Sequence, residues 1–335
     1  MSDHVKQPET KRICHIITRL SLGGAQENTL FTVEGLMKRP DFSVDLVVGE
    51  DDGAEGELIT RAKNNGVNVI SVPNLRRKID PAKDLAAYSD LVRLFKSKKY
   101  HLVHTHMSKA GALGRLAARK ARVPFVVHTL HSLVYHQYQP KYVNLGYRML
   151  KKFLARYTDY YISVSRILGE QAVKDGIVPA DRWATVYSGM EMDWFAGQPR
   201  KRAEIRKSLG IPEQSMVVGK VARLFDLKGH KELWEAIPLI LREMPETRFV
   251  MVGDGALRQS LEREAERLGF GRNIIFTGFV QPEEVPQVMG AFDVLVHTSL
   301  REGIARVLPQ ALAMGIPCVA YNLDGAPEVV LETLM

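Results

Sequence analysis

The chain has 335 residues, 45% of them hydrophobic, and a formal net charge of +8. That is too much apolar material for one ordinary core and suits two domains that each bury their own. No apolar run approaches the ~18 residues that cross a bilayer, the polar start MSDHVKQPETKR lacks a secretory signal's apolar stretch, and Cys14 and Cys318 stand near opposite ends of the chain, so a cytosolic protein with buried thiols is expected, without disulfides or a cysteine metal site.

Apolar strand-like runs alternate with helix-length amphipathic stretches, the pattern of parallel sheets covered by helices. The first series is ICHIIT, VDLVVG, VNVISV, HLVHTH, PFVVHT, YYISVS and ATVYS; the second is SMVVGKVA, RFVMVG, NIIFTG, DVLVHT and PCVAY. Helices are expected at 25 to 37, 84 to 98, 109 to 121, 229 to 243 and 256 to 269. Between the series lies GMEMDWFAGQPRKRAEI, rich in turn residues and charge, which places a boundary near residue 195 and domains over 1–195 and 196–335. Ligands of open parallel sheets sit beyond the carboxyl ends of the strands. Two such sheets are expected to face each other across a cleft, with chemistry in the loops that leave the strands.

The first strand ends in TRLSLGGAQENTL, where Gly23 and Gly24 precede a helix. The glycine pair lets backbone amides approach an anion at a helix N-terminus, or it is a plain turn; it is not the dinucleotide G-x-G-x-x-G fingerprint, which argues against a nicotinamide enzyme. Histidines gather in the first domain at His104, His106, His128, His131 and His136. Alternation in HLVHTH sends His104 and His106 to one strand face without the acid or cysteine partners of a closed zinc site. His131, after PFVVHTLHS, is the one expected in the cleft, and the others read as core or capping histidines.

In the second domain, VARLFDLKGHKE sets Arg223 and Lys228 where two cations can converge on a diphosphate, or stand as surface charges beside Asp226. VGDGALR brackets Asp254 with two glycines, either as a capped tight turn or as a backbone edge beside a nucleotide. In HTSLREGIARVLPQALAMGIP, Glu302 precedes Gly303, the amides of Ile304, Ala305, Arg306 and Val307 lead into a helix that can face a phosphate, and Gln310 is expected two turns inside. Pro309 is tolerable only near a helix's first turn, which pushes the regular helix beyond Ala305.

Charge is uneven: residues 76 to 156 hold eighteen Lys or Arg against three acids, while 201 to the end hold sixteen against eighteen. The first half therefore presents either a solvated basic surface or contact with an anionic membrane surface. Nucleic acid is disfavoured, because no nucleic-acid module and no aromatic interleaving appear in the basic stretch.

The order GGAQ, VHTH-SKAGALGRLAAR, VVHTLHS, VYSGMEMDWF, VARLFDLKGH, VGDGALR, TGFV and EGIARVLPQALAMGIPCVAYNLDGAPEVV resembles the retaining glycosyltransferases of family 4, especially bacterial ones that build surface polysaccharides, over nearly the whole chain from residue 12. The resemblance implies the α/β GT-B fold, two Rossmann-like domains facing across a cleft, the second shortened because relatives continue through another strand and a helix. It implies transfer of a hexose from a nucleotide-diphosphate sugar, UDP-sugar favoured, to a glycan or lipid-linked acceptor, by a cytoplasmic protein peripheral on the inner face of the cell membrane. No cofactor is implied, the nucleotide sugar being a substrate.

On this resemblance Arg223 and Lys228 would hold the diphosphate, Glu302 would be the first acid of the family's E-x7-E motif beside the transferred sugar, and the amides after Gly303 would complete the cradle. Gly24 would approach from the first domain, His131 would lie by the donor sugar, and Val280 and Asp254 would fall near the base. Gln310 stands where the second acid normally grips the ribose hydroxyls. The chain has no D-x-D, the pair with which the other main glycosyltransferase fold holds a divalent ion, so no metal is expected and protein cations take its place. Two competing readings are a nucleotide-sugar-binding protein without useful transfer, motivated by Gln310 and the short C-terminus, and a nucleotide-sugar epimerase, which would need acid and base groups at the sugar ring.

Overall fold

A computed structural model describes residues 10–50, 58–197 and 201–331. Gln198, Pro199 and Arg200 of the expected linker, residues 1–9 of the polar start and residues 332–335 of PEVVLETLM lie outside the described residues.

The chain divides into two units, Met1–Met190 and Glu191–Met335. Phe195, 2% exposed, belongs to the second unit's core with Ile211, Val217 and Phe292.

The first unit runs β1 (Lys11–Ile17), α1 (Gly24–Met37), β2 (Phe42–Gly49), α2 (Ile59–Asn64), β3 (Asn68–Val72), α3 (Pro81–Lys98), β4 (Leu102–His106), α4 (Ser108–Ala121), β5 (Phe125–Leu130), α5 (Lys141–Ala155), β6 (Tyr160–Ser163), α6 (Arg166–Lys174) and β7 (Trp183–Thr185). Its strands lie in the order β3-β2-β1-β4-β5-β6-β7, all parallel. The strands are apolar on both faces, as a sheet covered by helices on both sides requires. Along β1, Cys14 and Ile16 enter one core cluster while Ile13 and Ile17 enter another, the period-two alternation that splits a strand between layers. Local signals agree: Asp80 caps α3 by accepting the Lys83 amide at 3.1 Å, and Pro81 opens it. The small residues of SKAGALGRLAAR let α4 sit close to the sheet, since a Cβ at Gly111 would come within 2.7 Å of the His128 ring.

The second unit runs α7 (Arg202–Ser208), β8 (Val217–Val221), α8 (His230–Glu243), β9 (Arg248–Val252), α9 (Arg258–Arg267), β10 (Ile274–Gly278), α10 (Val285–Met289), β11 (Val294–His297), α11 (Val307–Ala313) and β12 (Cys318–Ala320). Its sheet is parallel in the order β10-β9-β8-β11-β12. Both expected strand series are thus present, one per unit. In each sheet the strand order reverses once, between β1 and β4 and between β8 and β11, and loops at such a reversal part to leave a crevice. Among the described residues no helix is long and apolar enough to cross a membrane.

Candidate active site

In the second unit the loops leaving β8 and β11 converge, because those two strands are neighbours at the reversal of strand order. One loop carries Arg223 and Lys228 toward α8, and the other carries Glu302 toward α11. The structure brings Lys228 and Glu302 together: ammonium and carboxylate form an ion pair, with the side chains 23% and 25% exposed.

The two loops are fastened beneath that pair. Gly229 has a φ of 67°, and a Cβ there would stand 1.7 Å from the Thr298 carbonyl oxygen, so only glycine permits the approach. Thr298 Oγ1 donates to the Gly229 carbonyl at 2.6 Å and accepts from Lys220 Nζ at 2.6 Å. The Leu300 amide donates to the Leu227 carbonyl at 2.9 Å. The Glu302 amide donates to the Asp324 carboxylate at 2.6 Å, which pins the backbone at Glu302 from the loop after β12. Lys220 is buried within β8, and burial, reinforced by the Lys228 charge, pushes its ammonium down to about 7. Burial likewise pushes the Asp324 carboxyl up, against the pull of the Glu302 amide. This is a partly desolvated crevice with one charged lysine at its mouth and a second lysine under it, and an entering diphosphate would compete with Glu302 for Lys228.

Arg223 is placed differently. It is exposed, with its guanidinium 5.3 Å from the centre of the Phe225 ring. Its carbonyl accepts from His230 Nε2 at 3.1 Å, and burial holds that imidazole neutral by pushing it down to about 4. Asp254 adjoins this loop through its backbone, its carbonyl accepting the Leu224 amide at 2.9 Å. The Asp254 carboxylate serves its own turn, accepting from the Gly255 amide at 2.7 Å and from Arg258 at 3.4 Å. Val280 follows β10 and packs on the core cluster that holds Ala305.

Gln310 stands one turn inside the helix, not the expected two. Ile304, Ala305 and Arg306 lie in the loop, α11 begins at Val307, and Gln310 is one turn in, its amide donating to the Arg306 carbonyl at 3.3 Å. Pro309 has no N–H to give, so the helix can include it only within its first turn.

In the first unit Gly24 opens α1 after β1, with the Gly23 carbonyl accepting the Glu27 amide at 2.9 Å. His131 leaves β5, and its Nε2 shares a hydrogen bond with His106 Nδ1 at 3.1 Å; His106 Nε2 meets His15 Nδ1 at 3.0 Å. Register explains the file of rings: His15 stands opposite His104 on the neighbouring strand, and alternation along β4 adds His106 to the same face. His104 Nε2 meets Thr129 Oγ1 at 2.7 Å, and His128 Nδ1 meets Thr105 Oγ1 at 2.8 Å. One ring nitrogen each from His15, His104 and His106 lies within 4.8 Å of the others, so this trio could hold a metal ion. Within the trio His15 bonds His106, while His104 bonds Thr129 and lies ring to ring with both.

Burial pushes His15 down to about 3 and His131 to about 4 from the ordinary 6.5. The folded chain therefore keeps them neutral where the unfolded chain takes up protons. Their stabilising contribution is complete above about pH 6.5 and is lost as pH falls toward those lowered values, at up to about 1.4 kcal/mol per pH unit for each ring. Urea unfolding between about pH 7 and pH 5 should show stability dropping as acid is added; a flat profile would contradict the neutral file.

Three residues of these sites escape sequence reasoning: His15, Lys220 and Asp324. The available signal for the first two is a basic residue interrupting a buried strand run, in ICHIIT and VVGKVA, and for the third the Asp-Gly turn of NLDGAPE.

Known proteins resemble this chain in sequence and fold. Residues 23–189 match the model of the glycosyl transferase 4-like domain, and residues 201–333 match that of glycosyl transferases group 1. The chain is 32% identical over 317 residues to the UDP-Gal:alpha-D-GlcNAc-diphosphoundecaprenol alpha-1,3-galactosyltransferase of Escherichia coli, covering 94% of this chain and 80% of that protein. It is 28% identical over 246 residues to the sulfoquinovosyl transferase SQD2 of Arabidopsis thaliana, covering 70% and 45%. Among solved structures, Anabaena Alr3699/HepE in complex with UDP-glucose superposes with a TM-score of 0.79 at 25% identity, over 96% of this chain and 83% of that one. Matched by both domain families, and aligned with a galactosyltransferase along most of both sequences, the chain belongs to the GT-B glycosyltransferases of the family 4 type.

Proposed function

We propose that the protein transfers a hexose from a UDP-sugar, with retention of configuration and without a metal ion, to a lipid-linked or glycan acceptor in cell-surface polysaccharide assembly. The observation that carries this reading is the Lys228–Glu302 pair at the reversal of strand order in the second sheet. Similarity to the E. coli enzyme, whose name gives a UDP-galactose donor and a diphosphoundecaprenol-linked acceptor, supports the substrate classes. The basic first unit supports work at an anionic membrane on its cytoplasmic side.

In the transfer the bond from the sugar's C1 to the diphosphate oxygen breaks while the acceptor oxygen bonds to C1 on the same face. The acceptor's hydroxyl proton passes to the released diphosphate. Negative charge grows on the leaving group, so preorganised cations supply the largest contribution, and removal of one such donor costs ~2.7 to 4 kcal/mol in comparable sites. Lys228 and Arg223 take that role, Glu302 faces the sugar, and the backbone from Ile304 to Val307 lines the phosphates. Gly24 and His131 approach donor or acceptor from the first unit, with Asp254 and Val280 by the base. Incubation with labelled UDP-sugars and lipid-linked acceptors in a chelator tests the proposal; transfer is expected, while binding alone or an isomerised donor would replace it with another function.

Gln310 accepts a ribose hydroxyl through its oxygen but lacks the charge of the family's acid, a loss of about 1 kcal/mol in donor binding. Gln310→Glu should therefore tighten UDP-sugar binding roughly fivefold in a calorimetric titration. Unchanged affinity would remove Gln310 from the ribose site.

A further inference from the structure

We propose that Arg115 of α4 and Lys151 of α5, buried on the helix-covered face of the first unit's sheet, bind a small inorganic anion of chloride's size. Arg115 is 0% exposed. Its Nε donates to the Gly111 carbonyl at 2.6 Å, and its Nη1 donates to Thr158 Oγ1 at 3.1 Å and reaches Tyr161 Oη at 3.5 Å. Each of these partners is neutral, and the buried Nη2 has none. Arg206, the other buried arginine among the described residues, is by contrast paired with Asp293.

Lys151 adds a second charge. With Leu154 it makes up the buried side of α5, and among the described residues its ammonium has no ion-pair or hydrogen-bond partner. Neither α4 nor residues 134–158 contain an Asp or Glu, and Asp159, the first acid beyond, gives its carboxylate to the Val126 amide at 2.8 Å. The cations therefore act on one another. Burial, reinforced by the Arg115 charge, pushes Lys151 down to about 7, and burial pushes Arg115 down to about 10. His128, whose Nδ1 meets Thr105 and whose ring stands edge-on to Tyr161, is held neutral by burial and by both cations.

A buried charge is either paired or neutralised. Arginine does not give up its proton, so this cluster calls for a negative charge that the surrounding chain does not supply. The enclosure selects its size. Tyr161 is 1%, Thr158 4% and Lys151 9% exposed, walls too closed for a phosphate ester, whereas a monatomic anion needs little more room than a water. Such an ion accepts from the spare Nη2 protons and from the Lys151 ammonium. The site shares no residue with the transfer reaction, so the anion is a structural counterion that ties the first unit's stability to the salt around it.

The test is bromide soaked into crystals of the full chain and located by its anomalous scattering, beside thermal unfolding in sodium chloride or sodium gluconate at equal ionic strength. Bromide stands in for chloride, and gluconate gives the same screening with an ion too large to enter. A bromide peak is expected against Arg115 Nη2 and Lys151 Nζ. The unfolding midpoint should be higher in chloride, by roughly 5–10 °C at about a hundred times the chloride Kd. Lys151→Met should lose that chloride-specific rise and still fold, since an apolar side chain in place of a buried charge is tolerated or stabilising. The inference is overturned if bromide occupies only other positions, if the wild type unfolds alike in both salts, or if Lys151→Met keeps the full rise. Equal midpoints in the two salts would show instead that Lys151 sheds its proton and leaves Arg115 as the cluster's one charge.

Discussion

Lys228→Ala is expected to reduce kcat by about 10²- to 10³-fold, the consequence of removing one preorganised donor from a developing oxyanion. The side chain is only 23% exposed, its partner Glu302 25%, and a charge in a partly desolvated crevice acts far more strongly than one in bulk water. The variant also leaves the Glu302 carboxylate without its ammonium, so repulsion of the diphosphate adds to the loss and the donor KM should rise. Arg223→Ala should cost less, because Arg223 is exposed and exposed charges are worth about 1 kcal/mol or under. Lys228→Arg should recover part of the activity, the charge being kept while the planar fork fits a lysine's place poorly. Steady-state kinetics with saturating acceptor separate the variants. If kcat for Lys228→Ala stayed within about threefold of wild type, Lys228 would not be the neutralising cation.

Arg206→Ala is expected to destabilise the second unit by about 3–5 kcal/mol, the scale of breaking a buried ion pair by removing one partner. Arg206 is 2% exposed. Its guanidinium donates to the carbonyls of Ala291, Glu213 and Ser215 at 3.2, 2.6 and 2.9 Å and to Asp293 at 2.7 Å. The same Asp293 oxygen accepts the Val217 amide at 2.8 Å, so one arginine ties α7 to the starts of both strands whose far ends carry the crevice. Burial acts to raise the Asp293 carboxyl, but the Val217 amide and the arginines Arg202 and Arg206 outweigh it and hold the group low. Without Arg206 the carboxylate keeps the half-exposed Arg202, and three carbonyls lose their donor. Arg206→Lys should rescue little, since an ammonium cannot span four acceptors. Urea unfolding measures the loss, and a change under about 1 kcal/mol would show that the network is dispensable.

The strands were readable because a parallel sheet covered on both faces demands apolar runs, and each run quoted from the sequence is matched by a strand. The loops at the second unit's crevice were readable for a different reason: Arg223, Lys228, Gly229, Glu302 and Gly303 concentrate charge and turn residues between a strand and a helix. Sheet order is what the sequence hides. That β8 and β11 are neighbours, and so bring Lys228 against Glu302, follows from pairing between segments far apart in the chain. His15 and Lys220 were passed over because a lone basic residue in a strand run looks like an exception until its neighbours on the next strand are known. In α5 the sequence shows a lysine among apolar residues, but only packing reveals that Lys151 is on the buried side. The start of α11 at Val307 was legible in Pro309, whose missing N–H confines it to a helix's first turn.

In the proposed transfer, protein cations rather than a metal neutralise the leaving diphosphate. Calorimetric titration of UDP into the wild type and into the Arg223→Ala/Lys228→Ala double variant, both with EDTA, tests it most directly. Metal-free binding by the wild type and at least a tenfold loss in the double variant are expected. Equal affinity in the two proteins, or wild-type binding that appears only when a divalent cation is restored, would contradict it.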